Sequence, residues 1–66
     1  MKLDVDDIIK HFTNQNKMAI RLGVTRQAIA GWRSQNAIPA NRAIQIENIT
    51  KGEFKAINMP IIDERD

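Results

Sequence analysis

Arg26 and Gln27 stand side by side at the start of a predicted helix, directly after a Gly23-Val24-Thr25 break. Both side chains end in planar groups that make paired hydrogen bonds. A guanidinium can present two N–H groups to O6 and N7 of guanine, and a carboxamide can pair with N6 and N7 of adenine. Each such two-point contact discriminates by roughly 1–3 kcal/mol. A core helix has no use for either residue. The same stretch, RLGVTRQAIAGW, carries Gly31 in mid-helix, where a solvent-facing helix would usually hold Ala, Glu or Lys. Such a helix has the profile of an element that lies against something outside the protein. The chemistry of Arg26 and Gln27 makes DNA the expected partner.

Other chemistries find less support. The chain has no cysteine and one histidine, His11, so neither a disulfide nor a thiolate metal site is expected. His11 adjoins Phe12 without a second ligand in view and reads as a surface residue. Asp4, Asp6 and Asp7 fall in the first turn of a predicted helix, where the helix dipole favours negative charge. That accounts for them, since a catalytic carboxylate needs a pocket and an acid–base partner. No nucleophile–base pair, metal cluster or phosphate-cradling loop is read, so no enzyme, cofactor, metal or small-molecule substrate is expected.

The elements that must position Arg26 and Gln27 belong to one small domain, 1–66. A chain of 66 residues buries a limited share of its surface and is marginally stable alone. Its 42% hydrophobic content suffices for a core. No apolar run approaches the roughly 20 residues of a membrane span, and the early aspartates interrupt any signal peptide, so a cytoplasmic protein is expected. The net charge of +2 conceals a polarity. Asp63, Glu64 and Asp66 make the far end acidic like the start. Between Ile8 and Ile62 eight basic side chains face only Glu47 and Glu53, a net +6. A basic body suits a polyanion.

Helix signals dominate. Val5, Ile8, Ile9 and Phe12 form one apolar face. Asn14 can cap a second helix with Met18, Ala19 and Leu22 inward, and Gly23 can end it in the left-handed conformation. Thr25 can cap a third helix, Arg26 to about Ser34, with Ala28, Ile29 and Trp32 inward. Pro39 suits the first position of a fourth helix, which runs to about Thr50 with Ala43, Ile46 and Ile49 inward and Ile44 off the stripe. Gly52 ends it. Residues 53–62 fit either a helical turn or a strand: Phe54 and Ile57 suit the first, the alternation of Ile57, Met59 and Ile61 the second, and Pro60 weakens both. The expectation is an all-α, compact bundle of about five short helices with a short extended tail from about residue 60 and a frayed, solvated DERD end.

Two short helices joined at Gly23 make a helix-turn-helix. A small residue at Ala19 lets the third helix cross the second closely, and Val24, Ile29 and Trp32 hold it at a fixed angle. NQNKMAIRLGVTRQAIAGW together with IPANRAIQIENITKG resembles the Cro-type repressors of phages, within the wider Cro/repressor helix-turn-helix superfamily, over roughly Val5 to Pro60. The Ile38-Pro39 start and the Glu47, Thr50 and Gly52 ending are similar to one branch of small Cro proteins. Members of that family differ in the tail, some all-helical and some ending in a β-hairpin.

The resemblance implies a dimeric repressor on a pseudo-palindromic operator of double-stranded DNA, in a phage or prophage switch. It implies that Thr25, Arg26 and Gln27 meet base edges, with Ala30 and Gly31 one turn on, where relatives often carry another polar reader. Here Ala30 could touch a thymine methyl and Gly31 could let the backbone approach the groove. It also implies a phosphate contact for Gln15. Asn16, Lys17, Arg33, Asn36, Asn41 and Arg42, at helix ends or in the flanking loop, are further phosphate candidates, which position a protein without reading sequence. Ile44, Phe54, Ile57, Met59 and Ile61 are the expected surface of a homodimer, weak when free. A helix-turn-helix antitoxin or activator, or a helical protein-interaction module without DNA binding, remains an alternative.

Overall fold

The computed structural model describes residues 2–62; the expected frayed end at 63–66 lies outside them. Four α-helices follow one another: α1 (Val5–His11), α2 (Gln15–Leu22), α3 (Arg26–Gln35) and α4 (Ala40–Ile49), then a 3-10 turn at Ala56–Asn58. The fold is all-α, and its fifth helix is this short turn.

The first three helices start where a side chain can satisfy an orphan N–H group. In α1 the Asp7 carboxylate accepts from the Asp4 N–H at 3.1 Å. In α2 the Asn14 carboxamide oxygen accepts from the Lys17 N–H at 2.9 Å, and in α3 Thr25 Oγ1 accepts from the Ala28 N–H at 3.1 Å. Gly23 ends α2 with φ 73°, in the left-handed region that only glycine occupies at little cost. Pro39 lies one position earlier than expected, as the cap residue of α4; lacking an N–H, it loses nothing at either position.

The core forms where the inward stripes meet. Val5, Ile8, Met18, Leu22, Ile29, Ile38, Ala43 and Ile46 are essentially inaccessible, and Trp32 joins them, as its spacing from Ile29 predicts. Ile49 and Val24 are half-buried against this cluster. α3 packs chiefly on α2 and also on α1, so its inner stripe is clamped by two helices.

The end of the described chain resolves the helix-or-strand ambiguity with some of each. After the 3-10 turn, the Ile38 N–H donates to Pro60 O at 2.8 Å and the Ile62 N–H donates to Ile38 O at 2.9 Å, a single parallel bridge between Ile38 and Ile61. The Glu47 carboxylate accepts from the Ala56 N–H at 2.8 Å and holds the turn against α4.

This docking corrects one expectation. Met59 is only 4% exposed and belongs to the core, so it offers no free surface to a second copy. The reason is local: in a 3-10 turn residues three apart eclipse, so Met59 follows Ala56 inward rather than Ile57 outward. Ile57 is 87% exposed.

Met59→Ala should therefore cost about 2–5 kcal/mol, while Ile57→Ala should stay within about 0.5 kcal/mol. Urea denaturation of the two variants checks this. Equal costs would place the tail differently.

Candidate nucleic-acid interface

α3 presents two opposed faces. Ile29 and Trp32 are buried, whereas Arg26, Gln27, Ala30, Gly31, Arg33 and Ser34 are exposed. Neither Arg26 nor Gln27 makes a side-chain hydrogen bond or ion pair among the described residues. Their planar groups are free to meet an outside surface. Thr25 spends its hydroxyl oxygen on the cap, which leaves the hydroxyl hydrogen available.

Gly31 has φ in the ordinary helical range, and a Cβ built on it would meet nothing within 4 Å. Internal packing therefore does not demand glycine here. Together with Ala30 it makes a bare stretch in the middle of the outer face.

The flanking polar residues divide by what already holds them. Gln15 lies at the start of α2 and is half-buried, while Asn16, Lys17 and Asn41 are exposed. Gln15 and Arg33 are brought together in a shallow recess of about 490 Å³, lined also by Asp6, Ile9, Lys10, Thr13 and Asn14. In the sequence Lys10 reads only as a solvated residue; the packing of α1 on α3 sets it at the edge of this recess. Arg33 donates from Nε to the Asp6 carboxylate at 2.7 Å, with both side chains 57% exposed. Its terminal nitrogens have no partner among the described residues.

Asn36 and Arg42 have internal work. Asn36 ends α3 in the left-handed conformation, with φ 50°. Its carboxamide oxygen accepts from the Val5 N–H at 2.9 Å, and its nitrogen donates to the Asp4 carboxylate at 3.4 Å. Arg42 Nη1 donates to Leu22 O at 3.2 Å and to Gln45 Oε1 at 2.8 Å, and Gln45 donates to the same carbonyl at 3.1 Å. Arg42 thus fastens the end of α2 to α4. Neither contact has a sequence signal, because the partners are 31 and 20 residues apart.

Of the expected dimer surface, Ile44 is 57% exposed, Ile61 41% and Ile57 87%, while Phe54 is half-buried. Ile20, on the outer side of α2, is also 71% exposed and was not anticipated.

The family model for the DNA-binding transcriptional regulator Cro matches residues 4–65. The chain belongs to the Cro family. It is a DNA-binding transcriptional regulator with a helix-turn-helix, of a family found in phages and prophage elements. Among solved structures, it is similar to N15 Cro complexed with consensus operator DNA, with 30% identity over 80% of this chain and 84% of that one and a TM-score of 0.72. It is similar to the Cro protein of the putative prophage element Xfaso 1 in Xylella fastidiosa strain Ann-1, with 33% identity over 83% and 85% of the two chains and a TM-score of 0.75. XPH1, a hybrid of the Xfaso 1 and Pfl 6 Cro sequences, two Cro proteins with different folds, matches at 30% identity over 92% of this chain and 89% of that one, with a TM-score of 0.65. No curated protein sequence matches the chain. No helix among the described residues is long and apolar enough to cross a membrane.

Gly31→Ala should raise the stability of the fold by about 0.5–1 kcal/mol, because alanine restricts the unfolded chain and its methyl meets open space. Thermal unfolding read by circular dichroism measures this; a loss of stability would mean that packing requires the glycine.

Proposed function

We propose that this Cro-family regulator is a repressor that binds a pseudo-palindromic operator as a dimer, in a phage or prophage genetic switch. The observation that carries the reading is the outer face of α3. Its inner stripe is locked by Ile29 and Trp32, and Arg26 and Gln27 stand opposite with no internal partner. A helix held this way can enter a major groove with its first residues at the base edges.

Arg26 and Gln27 read bases, and Thr25 contributes at the groove's edge. Ala30 faces a thymine methyl, and Gly31 lets the α3 backbone approach closely. Gln15, Asn16, Lys17, Asn41 and the free nitrogens of Arg33 hold phosphates and fix the register. Lys10 adds to this set from α1. Asn36 and Arg42 act mainly by keeping α3 and α2 in place. Two copies related by a two-fold axis set their α3 helices about one helical turn of DNA apart. Binding across a promoter then excludes other proteins without catalysis. The protein works where the host's DNA is, in the bacterial cytoplasm.

The test is selection from random duplex DNA at two salt concentrations. A palindromic consensus that survives the higher salt is expected. Arg26→Ala and Gln27→Ala should each flatten the preference at one symmetric position, costing about 1–3 kcal/mol at the preferred base. Gly31→Ala should weaken operator affinity although it stabilises the fold. Salt-sensitive binding without a consensus would mean a non-specific binder. No binding at all would leave an interaction module.

The dimer surface comprises Ile44, Phe54, Ile57 and Ile61. A charge at an exposed apolar position disfavours its burial, so Ile44→Asp and Ile57→Asp should shift sedimentation towards monomer and weaken operator binding. Unchanged association would remove these residues from the interface.

A further inference from the structure

Ser34 carries an unused hydroxyl at a telling position. A serine inside a helix commonly bonds back to the carbonyl four residues earlier or serves as a cap. Ser34 does neither among the described residues, and its side chain is exposed. Successive helical residues turn by about 100°. Gln27 and Ser34, seven apart, therefore lie within roughly 20° of each other around α3. They are the two polar side chains set most squarely opposite Ile29 and Trp32. Arg26 and Arg33 fall to one side, towards α1, where Asp6 holds Arg33.

Between Gln27 and Ser34 on this stripe lie only Ala30 and Gly31. The bare stretch removes what would otherwise hold the far end of α3 away from a surface that Gln27 touches. The axial separation of Gln27 and Ser34 is about 10.5 Å at 1.5 Å per residue, which spans up to about three base steps of about 3.4 Å when α3 lies along the duplex. A serine hydroxyl both donates and accepts and serves at either kind of base.

We propose that Ser34 is a further specificity-determining residue, reading a base up to about three steps from the one read by Gln27. The inference rests on the operator-binding reading above. The outer face of α3 is then a reader, a gap and a second reader. The gap at Ala30 and Gly31 brings the short side chain of Ser34 within reach of the groove floor.

The experiment compares half-site preferences of the wild type, Gln27→Ala and Ser34→Ala by selection from random duplexes, followed by titration of each chain with the wild-type consensus and its single-base variants. Ser34→Ala should reduce preference about 2- to 10-fold, the range of one neutral hydrogen bond. The loss should fall at one symmetric position up to about three steps from the Gln27 position. Ser34→Thr, which keeps a hydroxyl, should retain part of that preference. Alanine is the best helix former, so Ser34→Ala should fold at least as well as the wild type, which circular dichroism confirms independently. An unchanged profile for Ser34→Ala, beside a clear wild-type consensus, would overturn the proposal alone. So would equal weakening on all sequences, which would make Ser34 a phosphate contact. Absence of any wild-type consensus would instead sink the operator reading itself.

Discussion

The burial of one stripe of α3, Ile29 with Trp32, is the constraint on which the rest depends. A domain this small has few large side chains to commit, and these two set both the angle and the rotation of α3. With Ile29 inaccessible and Trp32 7% exposed, α3 cannot roll without bringing apolar surface into water. Each fully buried side chain of this size is worth about 1.5–3 kcal/mol relative to exposure. The outward direction of Arg26 and Gln27 follows from that rotation. On the proposed reading, recognition is thus secured by residues that touch no DNA.

The ends of α3 are held by polar contacts of a different kind. Thr25 closes the N-terminal end within α3 itself, whereas Asn36 closes the other end by bonding to the first turn of α1. The acidic start of α1 then does two things. It suits the helix dipole, and it supplies Asp6 to Arg33. Exposed ion pairs contribute at most about 1 kcal/mol, so the Asp6 contact steers Arg33 more than it stabilises the fold. The basic side chains are correspondingly unequal. Arg42 is committed to the carbonyl of Leu22 and Arg33 is half committed, while Arg26 stays free. The net positive charge of the middle of the chain therefore overstates the charge available to a polyanion and understates its localisation.

Local signals made most of the fold legible. The caps at Asn14 and Thr25, the left-handed Gly23 and the i, i+3, i+4 stripes each depend on neighbours a few residues away, and the structure places them accordingly. The exposure of Arg26, Gln27, Ala30 and Gly31 was readable for the same reason: it is the complement of the Ile29–Trp32 stripe. What was not legible depends on partners distant in sequence. Asn36 and Arg42 have the composition of phosphate ligands, and only the packing of α1 on α3 and of α4 on α2 reveals what else they hold. Lys10 entered the recess beside Gln15 through packing too. Met59 was counted with the free apolar surface because residues 53–62 fit a turn or a strand equally well, and only the docked 3-10 turn shows which of its apolar side chains points inward.

That change of period bears on assembly. Met59 turned inward closes the core beside α4, and the bridge from Ile38 to Ile61 adds a pair of backbone hydrogen bonds there. The Leu3 N–H donating to Asn58 O at 2.7 Å and the Ala56 N–H donating to the Glu47 carboxylate hold the rest of the segment. The same turn forces Ile57 outward, since Ala56 and Met59 take the inner side. Exposure of Ile57 is therefore a consequence of completing the core, and it leaves an apolar residue beside α4, which carries Ile44 on its own outer side. A domain with little core to spare gains from covering such residues. The element that closes the monomer is in this way also the one that gives it a reason to associate, while α3, anchored through α1 and α2, is left free of that task.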